Sequence, residues 1–411
     1  MASTWNIAMR PTFEVADVLR AGLANYELQY SLSEVQRKAS NAILNCRTAA
    51  LGGHVETCTG CGTQLISYNS CRHRACPKCQ WSAQVRWVQK RMGELLNTPY
   101  FHIVFTVPHS LNPLFLSNDV RLYNLLMRCA WETLNELARQ PRWLGAQTGM
   151  LAVLHTWGQK LDFHPHVHCV VPGGGILPDG SWKPARKGFF IPVQVVSALF
   201  RGKFLAALKL LRQTERLEYH GSAAMLAADG AFKSLMKDSY KVRWVVYAKA
   251  PMGGPAQVLQ YLGRYTHRIA ISNRRILSIS DSKVTFAYKD RQKNDQQKVL
   301  TLDIEEFIRR FLIHVLPAGF HKIRHFGLLA VRNRKTKLLT AQIKLAPARQ
   351  DLYPESGLIV TEQQTSRPCC PSCGSTDRVK LEALPSKVFK ATMSRPAARS
   401  PPECTASARY C

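Results

Sequence analysis

The chain has 411 residues, and its 56 lysines and arginines against 27 aspartates and glutamates give a formal net charge of +29. An excess of this size predicts a polyanionic partner, most simply nucleic acid, because basic side chains bound to phosphates release counterions. No stretch approaches the ~20 apolar residues that cross a bilayer, and the N-terminus lacks a secretory signal pattern. These features exclude a membrane-spanning class and lead us to expect a cytoplasmic protein.

The pattern of apolar residues predicts an α+β chain in four parts. Residues 1–50 have helical periodicity and form an N-terminal helical region. Residues 51–95 are rich in cysteine and histidine, which predicts a zinc-binding module. Residues 96–345 alternate strands with helices and form the main domain. Residues 346–411 are rich in proline, serine and cysteine without a period, which predicts a disordered appendage with a partial cysteine knuckle.

Within the main domain, period-2 and period-3.6 segments follow one another. The strands are predicted at 100–110, 149–158, 164–175, 240–251 and in the region 269–300. The helices are predicted at 119–140, 192–217, 255–267 and 303–317. The strands at 149–158 and 164–175 are expected to form one hairpin. No G-x-x-x-x-G-K-[ST] motif occurs, so the sequence predicts no nucleotide cofactor.

Two C-x2-C pairs lie close together in the cysteine-rich module. Cys58 with Cys61 and Cys76 with Cys79 are separated by 14 residues. Two such pairs can close a tetrahedral zinc site, which we expect to be structural because four protein ligands leave no open position for catalysis. Three nearby residues are alternative ligands: Cys71, His73 and His54. Basic residues around the pairs predict contact with DNA or RNA: Arg72, Arg74, Lys78, Arg86, Lys90 and Arg91.

A second cysteine motif lies near the C-terminus. Cys370 and Cys373 have the same C-x2-C spacing but supply only half of a metal site. Cys404 or Cys411 can complete it.

The sequence HPHVH places histidines at alternate positions in a predicted strand. His164, His166 and His168 therefore point to the same face, where they can hold a metal ion. Residues two apart on a strand are separated by about 6.6 Å, so His166 and His168 are the predicted core pair. His164, or another side chain such as His155, is the predicted third ligand. The alternative is a polar face on a half-buried strand.

Two tyrosines four residues apart mark the predicted helix at 255–267. Tyr261 and Tyr265 share one helix face, but Tyr26 and Tyr30 have the same spacing, so spacing alone does not separate a site from a core position. The downstream pair differs in its basic neighbours, which we expect to bind DNA: Arg264, Arg268, Arg274 and Arg275. Positive charge or a metal can assist a phenol as a nucleophile, since its ordinary pKa is about 10.

A basic stretch with interleaved aromatic residues follows at 319–337. It contains Phe320 and Phe326 and no acidic residue. Basic side chains beside aromatic rings predict contacts to the phosphates and bases of a single strand, although a solvated basic surface is the alternative. The predicted DNA-binding residues here are Lys322, Arg324, Arg332 and Arg334.

Together these motifs resemble the HUH endonuclease superfamily and, more closely, the two-tyrosine transposases of the insertion sequence 91 family. The matching stretches are 58–79, 154–175, 247–273 and 307–335. The resemblance implies a Rep-like antiparallel sheet flanked by helices, with the histidine strand at its centre. The C-terminal tail matches nothing expected of the family.

The resemblance also implies the chemistry. His166 and His168 match the pair that binds Mg2+ or Mn2+, and Tyr261 and Tyr265 match the nucleophiles. The implied activity is a DNA transposase that nicks and rejoins single-stranded element ends and target through a 5′-phosphotyrosine, as rolling-circle transposition requires. The alternatives are a plasmid rolling-circle initiator or relaxase, and a non-catalytic zinc DNA-binding protein derived from a transposase.

Overall fold

The computed structural model describes residues 11–186, 191–252, 263, 269–290, 295–346 and 370–386. The helices are α1 (Val15–Gln29), α2 (Glu34–Asn45), α3 (Pro77–Met92), α4 (Asn112–Ser117), α5 (Asp119–Arg139), α6 (Val193–Gln213), α7 (Asp229–Lys241), α8 (Ile304–Leu312) and α9 (Leu339–Lys344). Among the residues described, no helix is both long and apolar enough to cross a membrane.

Thirteen strands are described, and all the pairings between them are antiparallel. They are β1 (Gly53–Cys58), β2 (Gln64–Tyr68), β3 (Tyr100–Thr106), β4 (Gly149–Trp157), β5 (Phe163–Pro172), β6 (Gly174–Ile176), β7 (Trp182–Pro184), β8 (Val246–Met252), β9 (Ile276–Ser280), β10 (Lys283–Asp290), β11 (Gln296–Asp303), β12 (Ile323–Gly327) and β13 (Arg378–Leu384).

The central sheet has five strands in the order β12-β4-β5-β3-β8. The histidine-bearing strand β5 lies in the middle, and β4 with β5 forms the expected hairpin. This mixed fold, with an antiparallel sheet flanked by helices, confirms the predicted fold class.

One face of the central sheet is covered by helices. Val167 and Cys169 of β5 are fully buried in a large apolar cluster with Phe200 and Phe204 of α6. Burying a phenylalanine side chain contributes roughly 1.5–3 kcal/mol, so this cluster is a major source of stability. Because strand side chains alternate, His166 and His168 lie on the opposite face of β5. The apolar residues of β5 therefore fix the side of the sheet on which the histidines lie.

A second apolar core joins the N-terminus to the later part of the chain. Helices α1 and α2 pack with α8 and with the three-stranded sheet β9-β10-β11. Ser33 caps α2, since its hydroxyl accepts a hydrogen bond from the Gln36 amide at 3.3 Å. The backbone amide of Val15 donates to the Asn273 side chain at 3.2 Å. The N-terminal helices thus rest on the segment that follows the predicted tyrosine helix.

The third sheet has the order β13-β1-β2 and joins the cysteine-rich module to the C-terminal segment. The sequence predicts a disordered appendage from residue 346 onward, and for residues 370–386 this prediction is wrong. They supply β13, which pairs with β1 from Gly53 opposite Leu384 to Cys58 opposite Arg378. The partner strand lies more than 300 residues away, so no local pattern could reveal the pairing. Residues 347–369 and 387–411 lie outside the described part of the chain.

Candidate metal centres and nucleic-acid interface

Three buried histidines converge on the face of the central sheet opposite α6. They are His155 of β4 and His166 and His168 of β5, and their nearest ring nitrogens all lie within 4.8 Å of one another. The strand register explains this, because His155 pairs directly with His166 and therefore shares its face. Three imidazoles at this separation can bind one divalent cation.

Hydrogen bonds orient two of these rings. The Nδ1 of His166 lies 2.6 Å from the backbone carbonyl of His164. A carbonyl can only accept, so Nδ1 carries the proton and Nε2 carries the lone pair. The Nδ1 of His168 lies 2.9 Å from Nε2 of the buried His102 on β3. A hydrogen bond to the ring nitrogen that does not face the metal fixes the tautomer and the orientation of a histidine ligand.

His164 occupies a different position from the one predicted for a third ligand. Its ring stacks against His109, with 4.9 Å between ring centroids, and lies 5.1 Å from the His166 ring, but it is not among the histidines whose ring nitrogens converge within 4.8 Å. Strand rise separates His164 from His168 by about 13 Å along β5, whereas pairing between strands brings His155 close. His155, the sequence alternative, takes the third place. Imidazole nitrogens bind divalent first-row metals, whereas Mg2+ prefers oxygen ligands.

The predicted nucleophiles Tyr261 and Tyr265 lie outside the described residues, but Gly263 between them is described. It is buried, and a Cβ added to it would lie 2.7 Å from Cγ2 of Val88 on α3. Helix α3 packs on the histidine face, since Trp87 contacts the cluster that includes Val170 of β5. The backbone at Gly263 therefore lies on the same side of the sheet as the histidine centre.

One group of four cysteines lies at the start of α3. It consists of Cys46, Cys71, Cys76 and Cys79. The sulfur of Cys79 lies 3.5 Å from that of Cys46 and 3.7 Å from that of Cys71. Cys46 and Cys76 are fully buried in the second core, so this group ties α2 to α3.

A second group of four cysteines joins distant parts of the chain. Cys58 and Cys61 converge with Cys370 and Cys373, with 3.5 Å between the sulfurs of Cys58 and Cys373. The predicted single site of Cys58, Cys61, Cys76 and Cys79 is therefore wrong in its grouping. A C-x2-C pair presents two thiolates from one turn, but its spacing does not identify the pair that completes the site.

Of the three alternative zinc ligands predicted in the module, Cys71 joins a cysteine group, whereas His54 and His73 do not. Cys71 joins the first group, as the sequence allowed. The Nε2 of His54 instead lies 3.0 Å from a Glu56 carboxylate oxygen, and Nδ1 of His73 accepts the Ala75 amide at 3.2 Å.

Two adjoining basic clefts lie beside the histidine face. Both are lined by Arg47 and Arg72. The first also contains Arg274 and Tyr68, and the second contains Lys322. Burial, reinforced by the positive charge of Arg74, lowers the pKa of Lys322 to about 7. Its Nζ lies 5.8 Å from the centre of the Trp157 ring, which stacks on His155 at 4.5 Å. The second cleft thus reaches the edge of the histidine centre.

The predicted DNA-binding residues separate into distinct environments. Arg274 and Lys322 line the clefts, and Arg332 is exposed outside the cleft linings. Arg264 and Arg268 lie outside the described residues. The remaining three contact the protein itself: Arg275 donates to the Ala287 and Gln159 carbonyls, Arg324 to Asn124 and the His321 carbonyl, and Arg334 pairs with Glu94.

Several site residues, Tyr68 among them, were not identified from the sequence. Cys46 is isolated in a helical segment and has no motif partner nearby. Arg47 follows it directly and lines both clefts. His102 did carry a signal, because it interrupts an otherwise apolar strand, YFHIVFT.

The chain is similar in sequence to known protein families and proteins. Residues 149–337 match the family described as "Putative transposase", and residues 18–107 match the "Transposase zinc-binding domain". The chain is 47% identical over 377 residues to "Putative transposase y4qJ" of Sinorhizobium fredii, covering 90% of this chain and 95% of that protein. It is 28% identical over 305 residues to "Transposase for insertion sequence element IS801" of Pseudomonas savastanoi pv. phaseolicola, covering 73% and 72% of the two chains. No solved structure matches the chain.

The two family matches contain different candidate sites. The zinc-binding match contains all of the first cysteine group, and its thiolate donor set fits a structural zinc ion. The transposase match contains the histidine centre and Lys322. The resemblance inferred from the sequence motifs is thereby confirmed: the chain belongs to the insertion sequence 91 family of transposases and acts on DNA.

Proposed function

We propose that this transposase is a metal-dependent tyrosine endonuclease and strand transferase, which nicks and rejoins single-stranded DNA and supports rolling-circle transposition. The observation that carries the proposal is the convergence of His155, His166 and His168 on the central strands. The position of Gly263 on the same side of the sheet supports it, since this residue lies between the two candidate nucleophiles.

The three histidines would hold the cation, either Mg2+ or Mn2+. When bound, the cation supplies polarisation of a scissile phosphate and offsets negative charge that develops there. His102 positions His168 through the 2.9 Å contact between their ring nitrogens. The backbone carbonyl of His164 holds the His166 ring in the same way.

Tyr261 or Tyr265 would supply the nucleophile. The phenol releases its proton as its oxygen forms a bond to phosphorus, the bond from phosphorus to the 3′ oxygen breaks, and that oxygen takes up a proton. The products are a 5′-phosphotyrosine and a free 3′-OH. A later attack by a 3′-OH reverses these changes and rejoins DNA, so no nucleotide is consumed. Two tyrosines allow two successive steps, one at an element end and one at the target.

The basic clefts are the proposed path of the single strand. Arg47, Arg72 and Lys322 can contact phosphates, and the partly exposed ring of Tyr68 can stack on a base. The clefts run from the zinc-binding module to the residues beside the histidine centre. This arrangement would let the module and the central sheet bind one strand together.

The proposal is tested by cleavage of single-stranded DNA that carries the element's ends, with Mn2+ or Mg2+. We expect a covalent protein–DNA band on a denaturing gel. The Tyr261→Phe/Tyr265→Phe variant should lose the band, and each single variant should show which tyrosine acts first. The matched control is Tyr26→Phe/Tyr30→Phe, which has the same spacing and should retain the band.

Two other outcomes would contradict the proposal. A variant lacking both Tyr261 and Tyr265 that still forms the band would exclude these nucleophiles. If the wild-type protein binds the same DNA but forms no band with either metal, the non-catalytic DNA-binding function is favoured instead.

Lys322 gives a pH-dependent prediction. Its pKa is about 7 in the folded chain, well below its ordinary value, so it is largely neutral above pH 7. The unfolded chain then binds the extra proton, and the contribution of Lys322 to stability rises with pH from about 7 to about 10. A DNA phosphate in the cleft would restore the charge, so DNA binding should take up a proton.

The measurement is the affinity for single-stranded DNA at pH 7 and pH 8. Uptake of one proton strengthens binding by at most about tenfold for each pH unit lowered. We expect a several-fold effect in the wild-type protein and a much smaller one in Lys322→Met. An unchanged pH dependence in Lys322→Met would exclude Lys322 as the group that takes up the proton.

A further inference from the structure

Two turns far apart in the chain have the same sequence pattern and backbone geometry. Residues 58–62 read CTGCG and residues 370–374 read CPSCG. Gly62 and Gly374 have φ angles of +73° and +76°, a region that glycine adopts without strain. Each glycine amide donates to the carbonyl of the first cysteine, at 2.9 Å from Gly62 and 2.8 Å from Gly374. These turns are two equivalent cysteine knuckles.

The four thiols converge at the distances that one zinc ion requires. The sulfurs of Cys58 and Cys373 are 3.5 Å apart, and those of Cys61 and Cys370 are 3.6 Å apart. Tetrahedral zinc with Zn–S bonds of ~2.3 Å places its sulfurs about 3.8 Å apart. All four cysteines are free thiols, so disulfides do not account for the arrangement.

Backbone pairing holds the two knuckles beside each other. Strand β13 adds to β1, and the Thr59 amide donates to the Asp377 carbonyl at 3.2 Å. The guanidinium of Arg378 lies 3.3 Å from a Glu56 carboxylate, and both side chains are largely buried. The sheet β13-β1-β2 and the two knuckles have the layout of a zinc ribbon, a small fold that needs its metal to be stable.

We propose that Cys58, Cys61, Cys370 and Cys373 bind one structural zinc ion and form a zinc ribbon split between the two ends of the chain. The first cysteine group binds a separate ion. The ribbon's zinc fixes β13 to β1, and β2 on the other side of β1 carries Tyr68, which lines the first cleft. The C-terminal knuckle therefore helps to build one wall of the proposed DNA path, although it lies outside both matched families.

The proposal is tested by titrating Co2+ into the metal-free full-length protein. The thiolate-to-cobalt charge-transfer band reports only sulfur-bound metal, so a cation at the histidine centre does not contribute. We expect the band to saturate at two Co2+ per chain. Cys370→Ser/Cys373→Ser should lose one of the two four-thiolate sites, whereas Cys404→Ser/Cys411→Ser, the matched control, should keep both.

Saturation of the wild-type band at one Co2+ would overturn the proposal. So would loss of a site in Cys404→Ser/Cys411→Ser, because these residues would then complete the C-terminal knuckle. Hydrogen exchange supplies a second measurement. Cys58→Ser/Cys61→Ser should speed amide exchange at residues 378–384, more than 300 positions away, and unchanged protection there would contradict a shared metal site.

Discussion

Replacing His166 with alanine is expected to lower metal-dependent cleavage by about 1,000-fold, the order of magnitude attached to a lost transition-state contact. His166 has two ligand neighbours, and its removal leaves His155 and His168 with an incomplete donor set. His155→Ala should have an equal effect. The measurement is the initial rate of single-strand cleavage together with Mn2+ binding followed by electron paramagnetic resonance.

His164→Ala is the matched control for this prediction. His164 lies two residues away on the same strand but stacks on His109 outside the converging group. Its backbone carbonyl, which holds His166, is retained in the variant. We expect the cleavage rate to stay within about tenfold of the wild-type rate, the size of effect typical of a residue that supports a metal ligand without binding the metal. Equal losses in His164→Ala and His166→Ala, with His155→Ala unaffected, would restore the sequence-based set of three alternate histidines.

Replacing Cys76 with serine is expected to destabilise the protein by several kcal/mol, because structural zinc contributes roughly 10–16 kcal/mol in small zinc domains. Cys76 is fully buried between α2 and α3, so loss of the metal also disturbs the second core. The measurement is chemical unfolding with and without a strong chelator. The wild-type protein should lose stability with chelator, and Cys76→Ser should be less sensitive, because only the ion of the second cysteine group is left to remove.

Cys129→Ala is the matched control for Cys76→Ser. Cys129 is also fully buried, but it lies in the main core on α5, away from both cysteine groups. Loss of its small side chain should cost only about 1–3 kcal/mol and leave the chelator effect unchanged. A chelator effect of the same size in Cys76→Ser as in the wild-type protein would show that Cys76 is not a zinc ligand.

Local patterns were enough to predict the central strand and its histidines. Side chains alternate along a strand, so His166 and His168 lie on one face whatever position the strand takes in the sheet. The third ligand depends on the register between β4 and β5, which pairs His155 with His166. A sequence gives no direct reading of that register, so it left His155 and His164 as alternatives.

The cysteines show the limit of sequence reasoning more clearly. Each C-x2-C pair was recognised, but proximity in sequence suggested the wrong partners. Cys58 and Cys61 converge with Cys370 and Cys373, in a turn more than 300 residues away, and Cys76 and Cys79 with Cys71 and with Cys46 at the end of a helix. Long-range sheet pairing and helix packing determine these groupings, and neither leaves a periodic pattern.

The prediction of DNA-binding residues was only partly correct, because it too depends on contacts between distant parts of the chain. A basic sequence does not show which guanidinium groups are already bonded within the fold. Arg275 is held by two backbone carbonyls, whereas Arg274, its neighbour, lines a cleft. Cleft residues such as Arg47 come instead from a loop that the first cysteine group positions.

The most direct test of the proposed chemistry is to identify, by mass spectrometry, the residue that carries DNA after cleavage with Mn2+. The expected result is a peptide joined through a phosphate to Tyr261 or Tyr265, formed by the wild-type protein and lost in His166→Ala. A phosphate link to any other residue, or cleavage that yields only free DNA ends, would contradict the proposed tyrosine mechanism.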